Sequence, residues 1–428
     1  MSIVSELSQP EQHGPMQDGY ACRFCAAPLT HTVVDLGTSP LCQRHVTPAR
    51  FNHAEATYPL HVYVCTECFL VQLPAYVARE EIFDAEYGYF SSFSESWLKH
   101  AQDYVSMMLP RFGLGAGSKV VEIASNDGYL LQYFVKAGVP VLGIEPTTNT
   151  AAAAIRRGVP TLTQFFGRQT AQQVRERDGS ADLILGNNVL AHVPDINDFV
   201  GGMQILLAAN GVVTMEFPQL LHLFEQNYWD TIYHEHFSYL SFTTVQRIFA
   251  QQGLTLFDVD ELPTHGGSIR IYARHAADHG KPVQRRVAEM VEREARAGHT
   301  NLDYYQSFGE RVKESKRALL EFLIAAKRAG KHVAAYGAPG KGNTLLNYCG
   351  IRTDFIDYTV DRSPHKQGNF LPGSRIPIHA PDKIRETRPD YLLLLPWNLS
   401  TEIMQQMADI RSWGGKFVVP IPQVRVFD

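Results

Sequence analysis

KVVEIASNDGYLL, Lys119–Leu131, reads as a buried strand, a turn and the opening of a helix. A strand that delivers its chain straight into a helix is the repeating unit of a parallel sheet covered by helices. The same alternation continues outward. VPVLGIEPT (139–147) is a second strand ending in an acid, ADLILGNNVLAHVPD (181–195) a third and GVVTMEFPQL (211–220) a fourth. GLTLFDVDELP (253–263) and SIRIYARH (268–275) read as a closing antiparallel pair. From about Lys281 to Gly330 the chain is charged and helical, a connector with one apolar face. A second α/β unit follows in KHVAAYGAPGKGNTLLNYCG (331–350), FIDYTVDRSP (355–364), YLLLLPWN (391–398) and GKFVVPIP (415–422).

The chain of 428 residues is 45% hydrophobic and 19% charged, enough for two or three cores. A net charge of −5 without a basic stripe argues against a nucleic-acid partner. No apolar run approaches the roughly 18 residues of a membrane span, and the first twenty residues lack a basic-then-apolar leader. The expectation is a cytoplasmic protein with no membrane partner. Nothing in the sequence sets the oligomeric state; a monomer is compatible with it.

Six cysteines over this length do not make a disulfide scaffold. Four of them, Cys22, Cys25, Cys65 and Cys68, form two C-x-x-C pairs. Thiolates two residues apart face one ion across a tight turn, so two such pairs fill a tetrahedral structural zinc site. The 39 residues between the pairs should form a small structure of their own. Cys42 and Cys349 are read as non-ligands.

The turn Glu122, Ile123, Ala124, Ser125, Asn126, Asp127, Gly128 follows the first strand but lacks G-x-G-x-x-G, the nicotinamide fingerprint. Gly128 permits close backbone approach. Seventeen residues on, Glu145 ends the second strand, where an acid can accept both ribose hydroxyls. Asn187 and Asn188 end the third. All lie at the carboxyl edge of the sheet, where open α/β sheets bind ligands. The order suits S-adenosylmethionine better than a nicotinamide. In the second unit, GAPGKGNT is not a P-loop, because Gly342 is followed by Asn343 and Thr344. Its glycine turn at a helix start, from Gly337 through Lys341 and Asn343, is suited to a diphosphate. Asp361, Arg362, His365 and Lys366 supply charge and hydrogen bonds beside it. WDTIYHEHFSYLS (229–241) crowds two histidines, a glutamate and two tyrosines together. The zinc-protease pattern H-E-x-x-H fails there, because Ser238 stands where the second histidine is needed.

Taken together, VEIASNDGYLL, GIEPT, NNVLAHVPD, EFPQLL, DTIYHEHFSYLS, YGAPGKGNTLLNYCGI and VDRSPHKQG, with the two cysteine pairs, resemble the sugar C-methyltransferases of antibiotic and surface-polysaccharide pathways. These enzymes methylate C-3 of nucleotide-linked 4-keto-deoxysugars, most usually thymidine (dTDP) linked. The resemblance implies a zinc-binding N-terminal domain over 1–85, a class I (Rossmann-like) methyltransferase core over 86–280 that binds S-adenosylmethionine, and a connector with a C-terminal Rossmann-like α/β domain over 281–428. It implies a small-molecule sugar-nucleotide partner and active-site roles for Tyr233, Glu235, His236, His192 and Tyr87. The departure is mild: Ala124, Ser125 and Asn126 stand where a G-x-G is usual.

Methylation at carbon requires a carbanion. The C-3 hydrogen of a 4-keto sugar is alpha to the carbonyl, so a general base must remove it and donors must steady the oxyanion on O-4. His236 is the expected base, since imidazole titrates near neutrality. Glu235 either orients an imidazole or binds a sugar hydroxyl, Tyr233 donates to the substrate, and His192 and Tyr87 bracket the keto oxygen. His234 should face elsewhere, because neighbours on an extended loop point oppositely. The alternative is a 4-ketoreductase, or a bifunctional enzyme, holding NADPH in the same cleft.

Overall fold

The computed structural model describes residues 19–83 and 88–428, so Tyr87 and the first eighteen residues lie outside the described residues. The Val120–Ile123 strand is at the centre of a seven-stranded sheet. Beside it run Val141–Ile144 and Thr161–Leu162 on one flank. On the other run Ala181–Asn187, Leu207–Pro218, Ser268–His275 and the edge strand Leu254–Leu262. Ser268–His275 is antiparallel to both of its neighbours, and the pairings on the Val120 side are parallel. The sequence order of the strands is therefore 3-2-1-4-5-7-6, that of a class I methyltransferase core. The order reverses at Val120–Ile123, which opens the crevice at that strand's carboxyl end.

The second α/β unit is a six-stranded sheet. Val333–Tyr336 pairs in parallel with Thr359–Val360 and Tyr391–Leu394, and Lys416–Val419 continues it. Two strands were not legible in the sequence: Ile378–His379, only two residues long, and Arg425–Phe427, which closes the other edge antiparallel.

Between the cysteine pairs, His31–Ser39 and Tyr58–Val64 form a hairpin, as the insert's length requires. Val71–Gln72 adds a third strand, and the fourth comes from far along the chain. Ser238–Tyr239, out of the histidine-rich loop, pairs antiparallel with Val71–Gln72.

The three sheets do not have three separate cores. Val33, Val62 and Val71 of the N-terminal sheet share one cluster with Val312, Leu319 and Leu323 of the helix Phe308–Arg328 and with Val333 and Leu393 of the C-terminal sheet. Cys22, Phe24 and Leu70 beside the cysteine cluster instead join Phe199 and Phe242 of the central core. The connector is thus a wedge with one apolar face, as its pattern indicates, and Val312, Leu319 and Leu323 of that face are buried between two sheets.

The connector also reaches the central core through one carboxylate. Glu294, on the helix Arg285–Ala297, is fully buried and accepts from the amides of Phe242 and Thr243, both at 2.8 Å. It also takes Thr243 Oγ1 at 2.7 Å and Gln219 Nε2 at 2.9 Å. These amides open the helix Phe242–Gln251, where the dipole favours a negative charge. Glu294→Ala leaves buried donors unpaired and should cost about 2–3 kcal/mol. Thermal melting should then begin several degrees earlier, with Glu294→Gln in between; a melting curve unchanged by the alanine would contradict this reading.

Candidate active site

The two cysteine pairs sit on matching turns. The Phe69 amide donates to Cys65 O at 3.0 Å and the Ala26 amide to Cys22 O at 2.9 Å, with Ala26 and Phe69 both left-handed. The four sulfurs lie within 4.8 Å of one another, with Cys25 3.4 Å from Cys65 and Cys22 3.6 Å from Cys68. A tetrahedron of thiolates at about 2.3 Å from zinc has edges of about 3.8 Å, so the cluster fits structural zinc. Gln72 Nε2 donates to Cys22 Sγ at 3.1 Å, while its Oε1 accepts the Arg23 amide at 2.9 Å. Cys42 and Cys349 are buried outside the cluster.

At the crevice, Ala124, Asn126 and Gly128 have φ of 56°, 49° and 76°. The left-handed turn that G-x-G glycines make elsewhere is here made partly by an alanine and an asparagine. The Asn126 side chain anchors it, accepting from the Ser91 amide at 2.9 Å and donating to Tyr89 O at 3.1 Å. Glu145 Oε2 accepts the Asn126 amide at 2.9 Å, and Oε1 accepts the Thr147 amide at 2.9 Å. A cavity of about 380 Å³ starts at this turn, with Ala124, Asn126, Glu145, Asn187 and Asn188 in its wall.

Glu122, Ser125, Asp127 and Gly128 are not in that wall. Asp127 is fully buried and pairs with Arg157 at 2.8 Å and with Ser92 Oγ. Ser125 Oγ lies where a Cβ on Gly143 would stand, so it faces the neighbouring strand. A Cβ on Gly128 would come within 3.1–3.3 Å of Val159 and Ala154, so that glycine serves helix–strand packing. Glu122 is fully buried, its oxygens without hydrogen-bond partners, and burial raises its carboxyl well above the usual range. Burial also raises Glu145. Asn187 Nδ2 and Asn188 Oδ1 are buried and unpartnered as well. Carboxylates buried without a cation are costly unless a ligand compensates them. A ligand with ammonium and sulfonium groups and ribose hydroxyls suits this end.

The cavity continues to the histidine-rich loop. Trp229–Thr231 is a short turn, and His236 Nδ1 donates to Thr231 O at 2.7 Å. The proton is therefore on Nδ1, and Nε2 holds the lone pair. The Tyr233 and His192 rings lie 4.0 and 4.8 Å from the His236 ring, and all three residues line the cavity with Glu235. Burial, then the nearby His192, keeps His236 well below the usual imidazole range. Burial brings His192 down to about 4. Burial raises the Tyr233 phenol, leaving it a protonated donor. His234 turns away, its Nε2 donating to Pro59 O at 3.1 Å. A backbone carbonyl orients the His236 imidazole through Nδ1. Glu235 Oε1 accepts from Cys42 Sγ at 3.3 Å.

On the C-terminal side, Lys341 and Lys366 reach the cavity. Lys341 Nζ donates to Asn398 Oδ1 at 2.8 Å and lies 4.3 Å from the Trp397 ring centre; burial lowers it to about 8. The other expected diphosphate residues have different duties. The Gly337 amide donates to Val360 O at 2.6 Å, and Asp361 accepts the Ala338 and Ser363 amides at 2.8 Å. Asn343 is buried, donating to Cys42 O at 2.6 Å. Arg362 and His365 are exposed outside the wall, His365 5.8 Å from the Phe90 ring. What remains of the glycine turn is the start of the helix Gly340–Cys349, whose first amides have no intrahelical acceptor.

A cavity built at the 3-2-1-4-5-7-6 switch point beside a four-cysteine cluster can be compared with known proteins. The chain is 38% identical over 409 residues to the C-methyltransferase NovU of Streptomyces niveus, covering 95% of this chain and 96% of that one. The chain belongs to the C-methyltransferase family. Residues 22–83 match the family described as "Putative zinc binding domain", 97–259 "Methyltransferase domain" and 263–422 "C-methyltransferase C-terminal domain". A ubiquinone biosynthesis O-methyltransferase of Rhodopseudomonas palustris is 30% identical over 101 residues, 23% of this chain and 40% of that one. Among solved structures, magnesium protoporphyrin IX methyltransferase from Synechocystis with bound SAM overlaps 41% of this chain and 78% of that chain. The identity there is 15% and the TM-score 0.32. This C-methyltransferase depends on S-adenosylmethionine and carries a zinc-binding domain.

Sequence reasoning missed Trp97, Tyr129, His265 and Asn398, which all line the cavity. Trp97 and Tyr129 sit in helical or apolar runs that carry no chemical signal. His265, in PTHGG, carries one: a histidine before two glycines at a strand turn. Two outcomes follow from this geometry. The purified protein should hold about one zinc per chain and Cys65→Ala should not, by elemental analysis; equal zinc in both would refute the cluster. Glu145→Ala should weaken S-adenosylmethionine binding by about 1.5–3 kcal/mol in calorimetry, and an unchanged affinity would put the acid outside the cofactor site.

Proposed function

We propose that this C-methyltransferase methylates C-3 of a nucleotide-linked 4-keto-deoxysugar, with dTDP as the nucleotide, by way of an enolate. The observation that supports this best is His236. Its Nδ1–H is fixed on Thr231 O at 2.7 Å, so a neutral imidazole offers Nε2 within the cavity. Methyl transfer to oxygen or nitrogen asks less of a base, because those atoms already hold a lone pair and proton removal only assists it. A carbon must first lose a proton.

In this reading Nε2 of His236 takes the C-3 proton and the charge moves to O-4. Tyr233 and His192, whose rings lie tilted beside that of His236, supply donors to the sugar. Tyr87 takes its role from the family resemblance alone. Glu235 binds a sugar hydroxyl while also accepting from the Cys42 thiol. S-adenosylmethionine, when bound, supplies an electrophilic methyl group and leaves as the neutral thioether. Glu145, in the cavity wall, is the ribose acceptor. Lys341 and Lys366, with the first amides of the helix Gly340–Cys349, hold the diphosphate of the nucleotide. The division of labour is then a zinc-binding unit over 1–85, a donor-binding core over 86–280 and a nucleotide-binding part over 281–428.

His236→Asn keeps much of the shape and removes the basic nitrogen. Turnover on a 4-keto sugar nucleotide should fall by about 10²–10⁴ while both ligands still bind. In deuterated water, with S-adenosylhomocysteine bound, wild type should exchange the C-3 hydrogen into solvent and the variant should not. Exchange that persists in the variant while methylation stops would remove His236 from the role.

A further inference from the structure

His265 stands in the turn Thr264–Gly266, between the two strands that close the central sheet. Its φ is 54°, and Gly266 and Gly267 follow at 89° and 130°. The two glycines take positive φ freely, whereas left-handed His265 is a costly position, tolerated where the surroundings fix it. They do so here. A Cβ on Gly266 would come within 2.7 Å of the Tyr228 ring, and one on Gly267 within 2.6 Å of the His222 ring. Thr264 Oγ1 donates to buried Glu216 at 3.2 Å, and Ser268 Oγ donates to Thr264 O at 2.9 Å. The Trp97 ring meets the His265 ring edge-on at 5.3 Å. The imidazole is held from its backbone and from its faces.

Its protonation state is held as well. Asn188, itself left-handed with φ 56°, directs Nδ2 at His265 Nε2 from 3.1 Å. An amide N–H donates, so Nε2 accepts and the single proton of the neutral ring is on Nδ1. His265 lines the cavity, and its Nδ1 makes no hydrogen bond with the described residues. Burial, then the Lys341 charge, keeps the ring at about 4, so it stays neutral at working pH. A neutral imidazole with a free N–H is an electrophile: it donates to a developing oxyanion without giving up its proton. Position agrees with this. Asn188 follows the end of Ala181–Asn187 and Glu216 lies near the end of Leu207–Pro218, across the sheet from the Glu145 end.

We propose that His265 is a further catalytic residue, whose Nδ1–H hydrogen-bonds O-4 of the keto sugar and steadies the enolate while His236 holds the C-3 proton, with Asn188 as the positioning residue that fixes its tautomer. The inference rests on the enolisation reading above. The electron pair of the C-3–H bond moves to O-4 as His236 takes the proton, then to the methyl carbon as the donor's S–CH3 bond breaks. His265 gives up nothing and returns unchanged.

The test uses full-length, zinc-loaded enzyme and a dTDP-linked 4-keto-deoxysugar. His265→Asn suits the left-handed backbone and removes the imidazole. It should slow C-3 hydrogen–deuterium exchange with S-adenosylhomocysteine bound, and methyl transfer, by the same factor of about 10²–10³, with donor affinity within about twofold. Asn188→Gly, which also tolerates the backbone, should lower kcat about tenfold at unchanged KM. Both rates within threefold of wild type in His265→Asn would overturn the proposal. Wild type that neither exchanges nor methylates would instead overturn the enolisation reading, and the proposal with it. Nitrogen NMR of the resting enzyme is independent of any sugar. The His265 ring should be protonated on Nδ1 and bare on Nε2, and the reverse tautomer would overturn the assignment.

Discussion

The antiparallel pairing of Ser238–Tyr239 with Val71–Gln72 is the contact on which the active site depends. It makes the loop bearing Tyr233, Glu235 and His236 a structural part of the zinc-binding sheet. Leu73 N donates to Phe237 O at 3.0 Å, extending the pairing by one bond. Gln72 then reaches back to Cys22 Sγ, so the cysteine cluster and the histidine-rich loop meet at one strand. The other ends of the loop are tied to the central and C-terminal parts. The Leu220 amide donates to Leu240 O at 2.9 Å in the core. On the C-terminal side, Thr344 Oγ1 donates to Ile232 O at 2.8 Å, and Trp397 Nε1 donates to Asp230 at 2.7 Å. A buried loop must satisfy its backbone groups from its surroundings, and here a strand of the zinc-binding sheet and helices of the central and C-terminal parts supply the partners. This explains how a loop without regular structure holds an imidazole at a fixed angle.

The same burial sets the chemistry. His192, His236 and His265 are all pushed down by desolvation, and the Tyr233 phenol is pushed up. Two of the neutral imidazoles around the cavity differ in which nitrogen is already engaged, Nδ1–H in His236 and Nε2 in His265. A carbonyl decides this for His236 and an amide for His265. Base and donor are thereby separated without a charge on either ring. The backbone bears part of the cost. Among the described residues nine non-glycine positions have positive φ; four of them, Ala124, Asn126, Asn188 and His265, line the cavity, and two, Ala26 and Phe69, shape the cysteine turns. Strain collects where geometry is functional.

The layout was legible because strand period and turn chemistry are local. Val120–Ile123, Val141–Ile144 and Ala181–Asn187 lie inside the quoted runs, whereas Leu207–Pro218 begins ahead of its run and the two-residue strand Thr161–Leu162 has no run of its own; the cysteine spacing alone announced the cluster. Contacts that cross the chain were not legible. Ser238–Tyr239 is a two-residue strand whose partner lies over 160 residues away, and no periodicity marks it. The glycine turn after Val333–Tyr336 suggested a phosphate cradle, yet a Cβ on Gly340 or Gly342 would crowd Cys42 or Leu395. Packing explains those glycines, and packing partners are absent from a sequence. Cys42 was set aside as a non-ligand, correctly, but its bond to Glu235 had no sequence signal.

The central claim is that the methyl group goes to a carbon made nucleophilic by loss of a proton. Its most direct test is the carbon spectrum of the product formed from a dTDP-linked 4-keto-deoxysugar and S-adenosylmethionine carrying a ¹³C methyl. The account predicts a methyl resonance coupled directly to ring carbon 3, with the C-3 proton lost. A labelled methyl bound to oxygen or nitrogen, with that proton still in place, would contradict it.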